Sequence, residues 1–205
     1  MKKIFLLFAL ALINLGVFAQ KTKFGVVAGA TFATQKISNE AIAIDGSAKV
    51  GVTLGGTVDI ELAENFHIQP GLNFTQKNSE FSAFGESLTR NLSYVEIPLN
   101  LLYNLEVGSG KIFAGAGPTL GFGVSGKNKS GSVSESIKWG SGEDNDLKAF
   151  DFGLNLLAGY ELTQGITIGL NYNIGLANLA PVTEGGTKYK INYFGIRLGY
   201  KFNGK

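Results

Sequence analysis

Eight stretches of the chain alternate apolar and polar residues with a period of two. Each is about the length that crosses a bilayer as a tilted strand. They lie near 23–34, 49–62, 66–77, 92–105, 111–124, 149–162, 166–178 and 189–202. In the second, Val50, Val52, Leu54, Val58, Ile60 and Leu62 share one face, and Thr53, Thr57, Asp59 and Glu61 the other. In the last, Phe194, Ile196, Leu198, Tyr200 and Phe202 alternate with Gly195, Arg197, Gly199 and Lys201. No helical period competes in any of them. The connections also alternate. Three are short, "AEN" at 63–65, "EVGSG" at 106–110 and "TQG" at 163–165, and four are long, 35–48, 78–91, 125–148 and 179–188. This rhythm predicts an all-β fold, an eight-stranded antiparallel up-and-down barrel with one trimmed end and one elaborated end.

Two barrels fit such a pattern. A soluble, lipocalin-like ligand-binding barrel turns its apolar face inward, whereas a transmembrane barrel turns it outward to lipid. Glycine separates them. Gly25, Gly29, Gly51, Gly55, Gly115, Gly117, Gly121, Gly123, Gly195 and Gly199 all fall on the polar face. On a solvated exterior so many would only weaken the strands. In a narrow lumen they make room for larger side chains from opposite walls. The apolar face is also too large to fill the interior of eight strands. Phe24, Phe66, Tyr160, Tyr200 and Phe202 lie near the short-turn ends, and Phe32, Phe74, Phe122, Phe150 and Phe152 near the long-loop ends. Two such bands are expected where rings sit at the two membrane–water boundaries.

The first twenty residues, "MKKIFLLFALALINLGVFAQ", read as an export leader: two lysines, an apolar run and a small residue before Gln20. A signal peptide over 1–19 and one barrel domain over 20–205 are expected. Without Lys2 and Lys3 the basic and acidic residues balance at 16 each, so no nucleic-acid partner is expected. The chain has no cysteine, which excludes a lipoprotein anchor.

The run "YVEIPLNLLYNL" at 94–105 places Val95, Ile97, Leu99, Leu101, Tyr103 and Leu105 on one parity, and Glu96 and Pro98 on the other. Together with "AGAGPTLGFGVSGK" at 114–127, "FDFGLNLLAGYEL" at 150–162 and "GIRLGYKF" at 195–202, it resembles the PorT-like outer-membrane β-barrel proteins of Bacteroidetes. The resemblance spans essentially the whole mature chain and implies an outer-membrane barrel of the OmpA/OmpX type. It implies a cell outer membrane location, with long loops extracellular and both termini periplasmic. The family's namesake is tied to protein secretion, and no functional residue carries over.

The charged side chains of the polar face are Asp59, Glu61, Glu96, Asp151 and Glu161, with Lys77, Arg197 and Lys201 as bases and His67 beside them. Charges inside a barrel must be paired, so they are expected to form a lumenal network. In it Arg197, at mid-height, bridges Glu96, Asp59 or Asp151, and the network plugs the lumen rather than gating a pore. No catalytic residue, cofactor or metal site is expected. His67 is the only histidine and falls at a short-turn end, no nucleophile–histidine–acid set can be assembled, and "GAGPTLG" lacks the helix a phosphate loop needs. Turn signals at Asp45-Gly46, Gly85 and Gly185-Gly186 predict hairpins that continue past the bilayer. Trp139, the only tryptophan, is a candidate loop contact. It either anchors a partner or packs on its own hairpin with Val133 and Ile137. Pro70, Pro98 and Pro118 fall in neighbouring strands and predict a bulge or a locally broken ladder there.

The leading expectation is a monomeric, non-enzymatic outer-membrane barrel in contact with membrane lipid, its hairpins serving structural or adhesive interactions with an extracellular or envelope protein. An accessory part in a secretion machine is the alternative. The detergent-extracted protein should migrate on a gel with the heat-modifiable shift of a membrane barrel. Recovery in the soluble periplasmic fraction would instead support the ligand-binding barrel.

Overall fold

The computed structural model describes residues 22–83 and 86–202. The leader expected at 1–19 and the turn signal at Gly85 lie outside the described residues. Eight long strands form the wall: β1 (Thr22–Ser38), β3 (Ser47–Ala63), β4 (Phe66–Ala83), β5 (Glu86–Val107), β6 (Gly110–Ser130), β8 (Phe150–Glu161), β9 (Ile166–Gly175) and β10 (Lys188–Phe202). Two short strands, β2 (Ala43–Asp45) and β7 (Val133–Ser136), extend β1 and β6 at the long-loop end. Every pairing is antiparallel between successive wall strands, and β10 closes on β1 from Phe24↔Phe202 to Ser38↔Lys188. The alternation of the sequence is thus cashed in as a ring without an edge, the one sheet that satisfies its backbone in lipid.

The register fixes the shape. Traced once around, Thr22 pairs with Ile60, then Ile68, Leu101, Ala116, Leu156, Tyr172, Phe194 and finally Phe32, ten residues further along β1. That stagger tilts the strands strongly to the barrel axis. The outer wall exposes Phe24, Val50, Leu54, Leu72, Leu101, Ile168 and Leu198. Their lumenal neighbours Thr53, Asn73, Asn100, Asn155, Asn171 and Asn173 are buried. An apolar exterior and a polar interior are the reverse of a lipocalin-like barrel. Both aromatic bands are present as ring contacts: Phe66–Tyr103 (5.2 Å) and Tyr200–Phe202 (5.1 Å) at the short-turn end, Phe32–Phe194 (6.4 Å) and Phe122–Phe150 (5.5 Å) at the other. Gly108 (φ 64°) and Gly165 (φ 85°) adopt the left-handed conformation that two of the short turns require.

Six of the eight wall strands outrun the stretches read from sequence, whereas β8 and β9 stop short of theirs. β4 and β5 pair as far as Ala83↔Glu86, and β6 and β7 pair over Lys127–Ser136, so the wall continues as a protruding sheet. Lys49 Nζ pairs with Glu80 Oε2 across β3 and β4 at 2.8 Å and holds that carboxyl below the ordinary carboxylate range. Residues 137–149 fold back over the barrel mouth rather than extending from it.

The glycines do more than admit opposite-wall side chains. A Cβ at Gly29 would lie 2.2 Å from the Ile196 carbonyl oxygen, one at Gly115 2.3 Å from that of Leu101, and one at Gly175 2.2 Å from that of Ile191. These positions are bare because the coiled wall brings the neighbouring backbone into the space of a side chain. The prolines interrupt the ladder without shifting it. Pairing of β4 with β5 stops at Pro70↔Leu99 and resumes at Asn73↔Glu96, and that of β5 with β6 stops between Leu101↔Ala116 and Pro98↔Thr119, with the register kept. The one bulge between β5 and β6 lies higher, at Ser93/Tyr94, where Val124 is the extra residue. Gly29→Ala should therefore lower the urea midpoint by the equivalent of about 1–3 kcal/mol through overpacking. Gly56→Ala, whose nearest neighbour would be 3.6 Å away, should stay within about 0.5 kcal/mol of the wild type.

Candidate functional site

The lumen is stacked in tiers. Near the short-turn end Lys201 Nζ donates to Asp59 Oδ2 (2.7 Å) and lies 2.8 Å from Glu161 Oε2. Asp59 also takes His67 Nδ1 at 2.6 Å and Gln69 Nε2 at 3.3 Å. Glu61 is the cross-strand neighbour of His67. At mid-height an amide chain crosses the interior: Asn155 donates to Asn100 (2.9 Å) and Asn171 to Asn155 (3.1 Å). Above it Lys77 Nζ, fully buried, sits 2.8 Å from Asp151 Oδ2 and 2.9 Å from Glu96 Oε1. Tyr193 donates to the other oxygen of Glu96 at 2.8 Å. The Lys77 ammonium also lies 4.3 Å from the centre of the Tyr94 ring and 5.4 Å from that of Tyr193, so aromatic faces complete its shell.

Both ion clusters are built across an inward glycine. Glu96 and Asp151 are each cross-strand partners of Gly121. Lys201 is the partner of Gly25, whose other partner is Thr57, two residues before Asp59. A bare position between an acid and its neighbour lets the long lysine meet carboxylates from two strands.

The tiers correct the expectation for Arg197. Among the described residues Arg197 forms no ion pair, and its Nε is buried without a hydrogen-bond partner. The stagger of the wall is the reason. It raises Glu96 and Asp151 to the level of Lys77 and leaves Asp59 beside Lys201, so the acids are taken above and below Arg197. Of the two placements considered for Trp139, the packed one describes its surroundings. Its ring is edge-on to Tyr94 at 5.6 Å, and a Cβ on Gly123 would be 2.5 Å from it. Ile137 joins it in the packing, whereas Val133 stays exposed at 60%.

Above the charges lies a tier the sequence reading did not contain, an apolar cap inside the mouth. Leu92, Tyr94, Tyr189, Ile191 and Tyr193 from the wall pack with Ile137 and Leu147 from the β7–β8 connection and with Leu179 and Ala180 from the β9–β10 connection. Leu147, Leu179 and Ile191 are 0–1% exposed. Tyr189 donates to Gln35, whose amide donates to the Lys77 carbonyl at 2.8 Å, tying cap to charge tier. A signal was present: the inner parity of the last strand changes from Arg197 and Lys201 to Tyr189, Ile191 and Tyr193. Among the described residues no cluster of three or more histidines, cysteines or carboxylates could hold a metal ion. Chemically, the arrangement is a filling of ion pairs, hydrogen-bonded amides and packed apolar side chains, with no assembled catalytic set.

A family described as "Outer membrane protein beta-barrel domain" matches residues 18–180. Among solved structures the chain is similar to Ail, the attachment invasion locus protein of Yersinia pestis, with 14% identity over 89% of this chain and 99% of that one and a TM-score of 0.47. It is similar to Neisserial surface protein A (14% identity, 87% and 95% covered, TM-score 0.46). It is also similar to the outer membrane enzyme PagL (13% identity, 85% and 98% covered, TM-score 0.48). No curated protein sequence matches the chain.

Removing Lys77 alone strands two buried carboxylates. Lys77→Met should destabilise the barrel in detergent by about 3–5 kcal/mol, and adding Glu96→Gln and Asp151→Asn should recover part of that loss. Arg197→Met should cost less than Lys77→Met, since no carboxylate loses its partner. Chemical denaturation of the refolded variants reads all three.

Proposed function

Since the chain belongs to the outer membrane protein β-barrel domain family, we propose that it acts there as a non-enzymatic, closed barrel whose hairpins make structural or adhesive contacts. The leader over 1–19 is removed on export, both termini face the periplasm, and the long hairpins face out of the cell. It works as a monomer, a reading supported by wall strands that close on themselves from β10 to β1.

The carrying observation is the contrast between a filled interior and an elaborated exterior. Two salt-bridge tiers and the apolar cap occupy the lumen, whereas the protruding strands present side chains outward. Ile42, Ile44 and Val133 are 61%, 50% and 60% exposed at that end. A filled lumen beneath elaborated hairpins suits surface contact better than transport.

The narrower PorT-like resemblance, carried by "YVEIPLNLLYNL" and "GIRLGYKF", favours a second reading as an accessory part of a secretion or envelope machine. One experiment separates the two. Replacing residues 128–135 with a tight turn removes the tip of the β6–β7 hairpin and keeps Ile137, Trp139 and Leu147 in the cap. Whole-cell adhesion should fall while export of secreted proteins stays unchanged. Lost export with normal adhesion would favour the machine component.

A further inference from the structure

The lumenal bases are not treated alike. Lys77 and Lys201 each meet two carboxylates. Arg197 meets none among the described residues, and its Nε is buried and unpartnered. A guanidinium carries five N–H donors and keeps its charge at any ordinary pH. Arg197 is half-buried, and a charge held inside a barrel gains from a counter-group.

Arg197 borders a small cavity of about 60 Å³ in the lower lumen. Its lining residues with polar side chains are Thr57, Gln69, Thr167, Arg197, Tyr200 and Lys201, and no carboxylate is among the lining residues. Lys201 spends two donors on Asp59 and Glu161 and keeps a third. Thr57 and Thr167 bring hydroxyls that can donate. The cavity is therefore lined by a full guanidinium, a spare ammonium N–H and two hydroxyls, with the ring of Phe113 beside them. Its volume is roughly that of two waters, enough for one small ion and too little for a sugar or a nucleotide.

We propose that this cavity binds a small monovalent inorganic anion, of which chloride is the representative, on the guanidinium of Arg197. The anion supplies the counter-charge that the staggered wall withholds from Arg197. Asp59 and Glu161 balance Lys201, and Asp59 also takes the amide of the lining Gln69, so the ion is held by directed N–H and O–H donors rather than by a net positive field. The site is internal to the barrel and independent of what the hairpins contact. Its two cations are the last strand's Arg197 and Lys201, on the same parity with Gly199 between them.

The probe is bromide, with the refolded full-length barrel. In crystals grown in sodium bromide, an anomalous peak should stand within hydrogen-bond distance of the Arg197 guanidinium and vanish in Arg197→Met. In detergent, sodium chloride should raise the melting temperature above that in sodium gluconate of equal ionic strength. The expected rise is about 2–4 °C, the size given by a ligand at roughly five times its dissociation constant in a chain of this length. Arg197→Met should abolish the difference. Bromide peaks at other places with water only at Arg197, or an equal chloride effect in wild type and Arg197→Met, would overturn the proposal. If Arg197→Met does not refold, the wild-type bromide map decides alone.

Discussion

Everything in this molecule depends on the closing ladder between β10 and β1. In hydrocarbon an unpaired backbone amide or carbonyl has no water to turn to, so a sheet that ends in an open edge cannot stay there. Closure sets the stagger of ten residues, and the stagger decides which inward residues share a level. It is why Lys77 on β4 meets Glu96 on β5 and Asp151 on β8, and why Lys201 on β10 meets Asp59 on β3. The glycines follow from the same constraint, since a narrow, strongly coiled wall brings carbonyls of one strand over the Cα atoms of the next. Charge pairing, in this barrel, is downstream of main-chain geometry.

The interior divides into two chemical regimes. Within the apolar belt the filling is mostly polar, ion clusters, an amide chain and hydroxyls, with Leu102 and Phe113 buried among them. Beyond the belt at the long-loop end the filling becomes an ordinary hydrophobic core of leucine, isoleucine and aromatic side chains. The change tracks what surrounds the barrel. Lipid claims the apolar side chains of the spanning wall, whereas the protruding part meets water outside and can bury apolar groups within, as a soluble protein does. Trp139 belongs to this second regime, so its packing against Tyr94 serves to seat the mouth loop.

Much of this was legible in the sequence, and the boundary is physical. Period-two alternation and the short–long rhythm of the connections carried strand number, direction and the lipid face, because those are local properties. Glu96 and Pro98 could be assigned inward from parity alone, and both are buried there. What could not be read was pairing across the lumen. Arg197 looked like the natural partner of Glu96 because strand position suggested similar heights, and only the accumulated stagger reveals that Lys77 stands level with that acid. The cap was missed for a related reason. Leu147 and Leu179 come from connections without periodicity, and their burial depends on the shape of the mouth. The proline expectation was half local: a missing N–H must open the ladder, yet whether the register slips is decided by the paired segments on either side.

That proline patch has a mechanical meaning. A barrel resists distortion through its hoops of main-chain bonds, and between β4, β5 and β6 those hoops are interrupted around Pro70, Pro98 and Pro118. Fewer main-chain pairs hold the wall along this oblique seam, which continues into the gaps of the β3–β4 ladder. Under lateral pressure from a bilayer, a wall yields more readily where such hoop bonds are missing. There Lys77 supplies a side-chain tie in place of main-chain bonds, joining β4 to Glu96 on β5 and to Asp151 on β8.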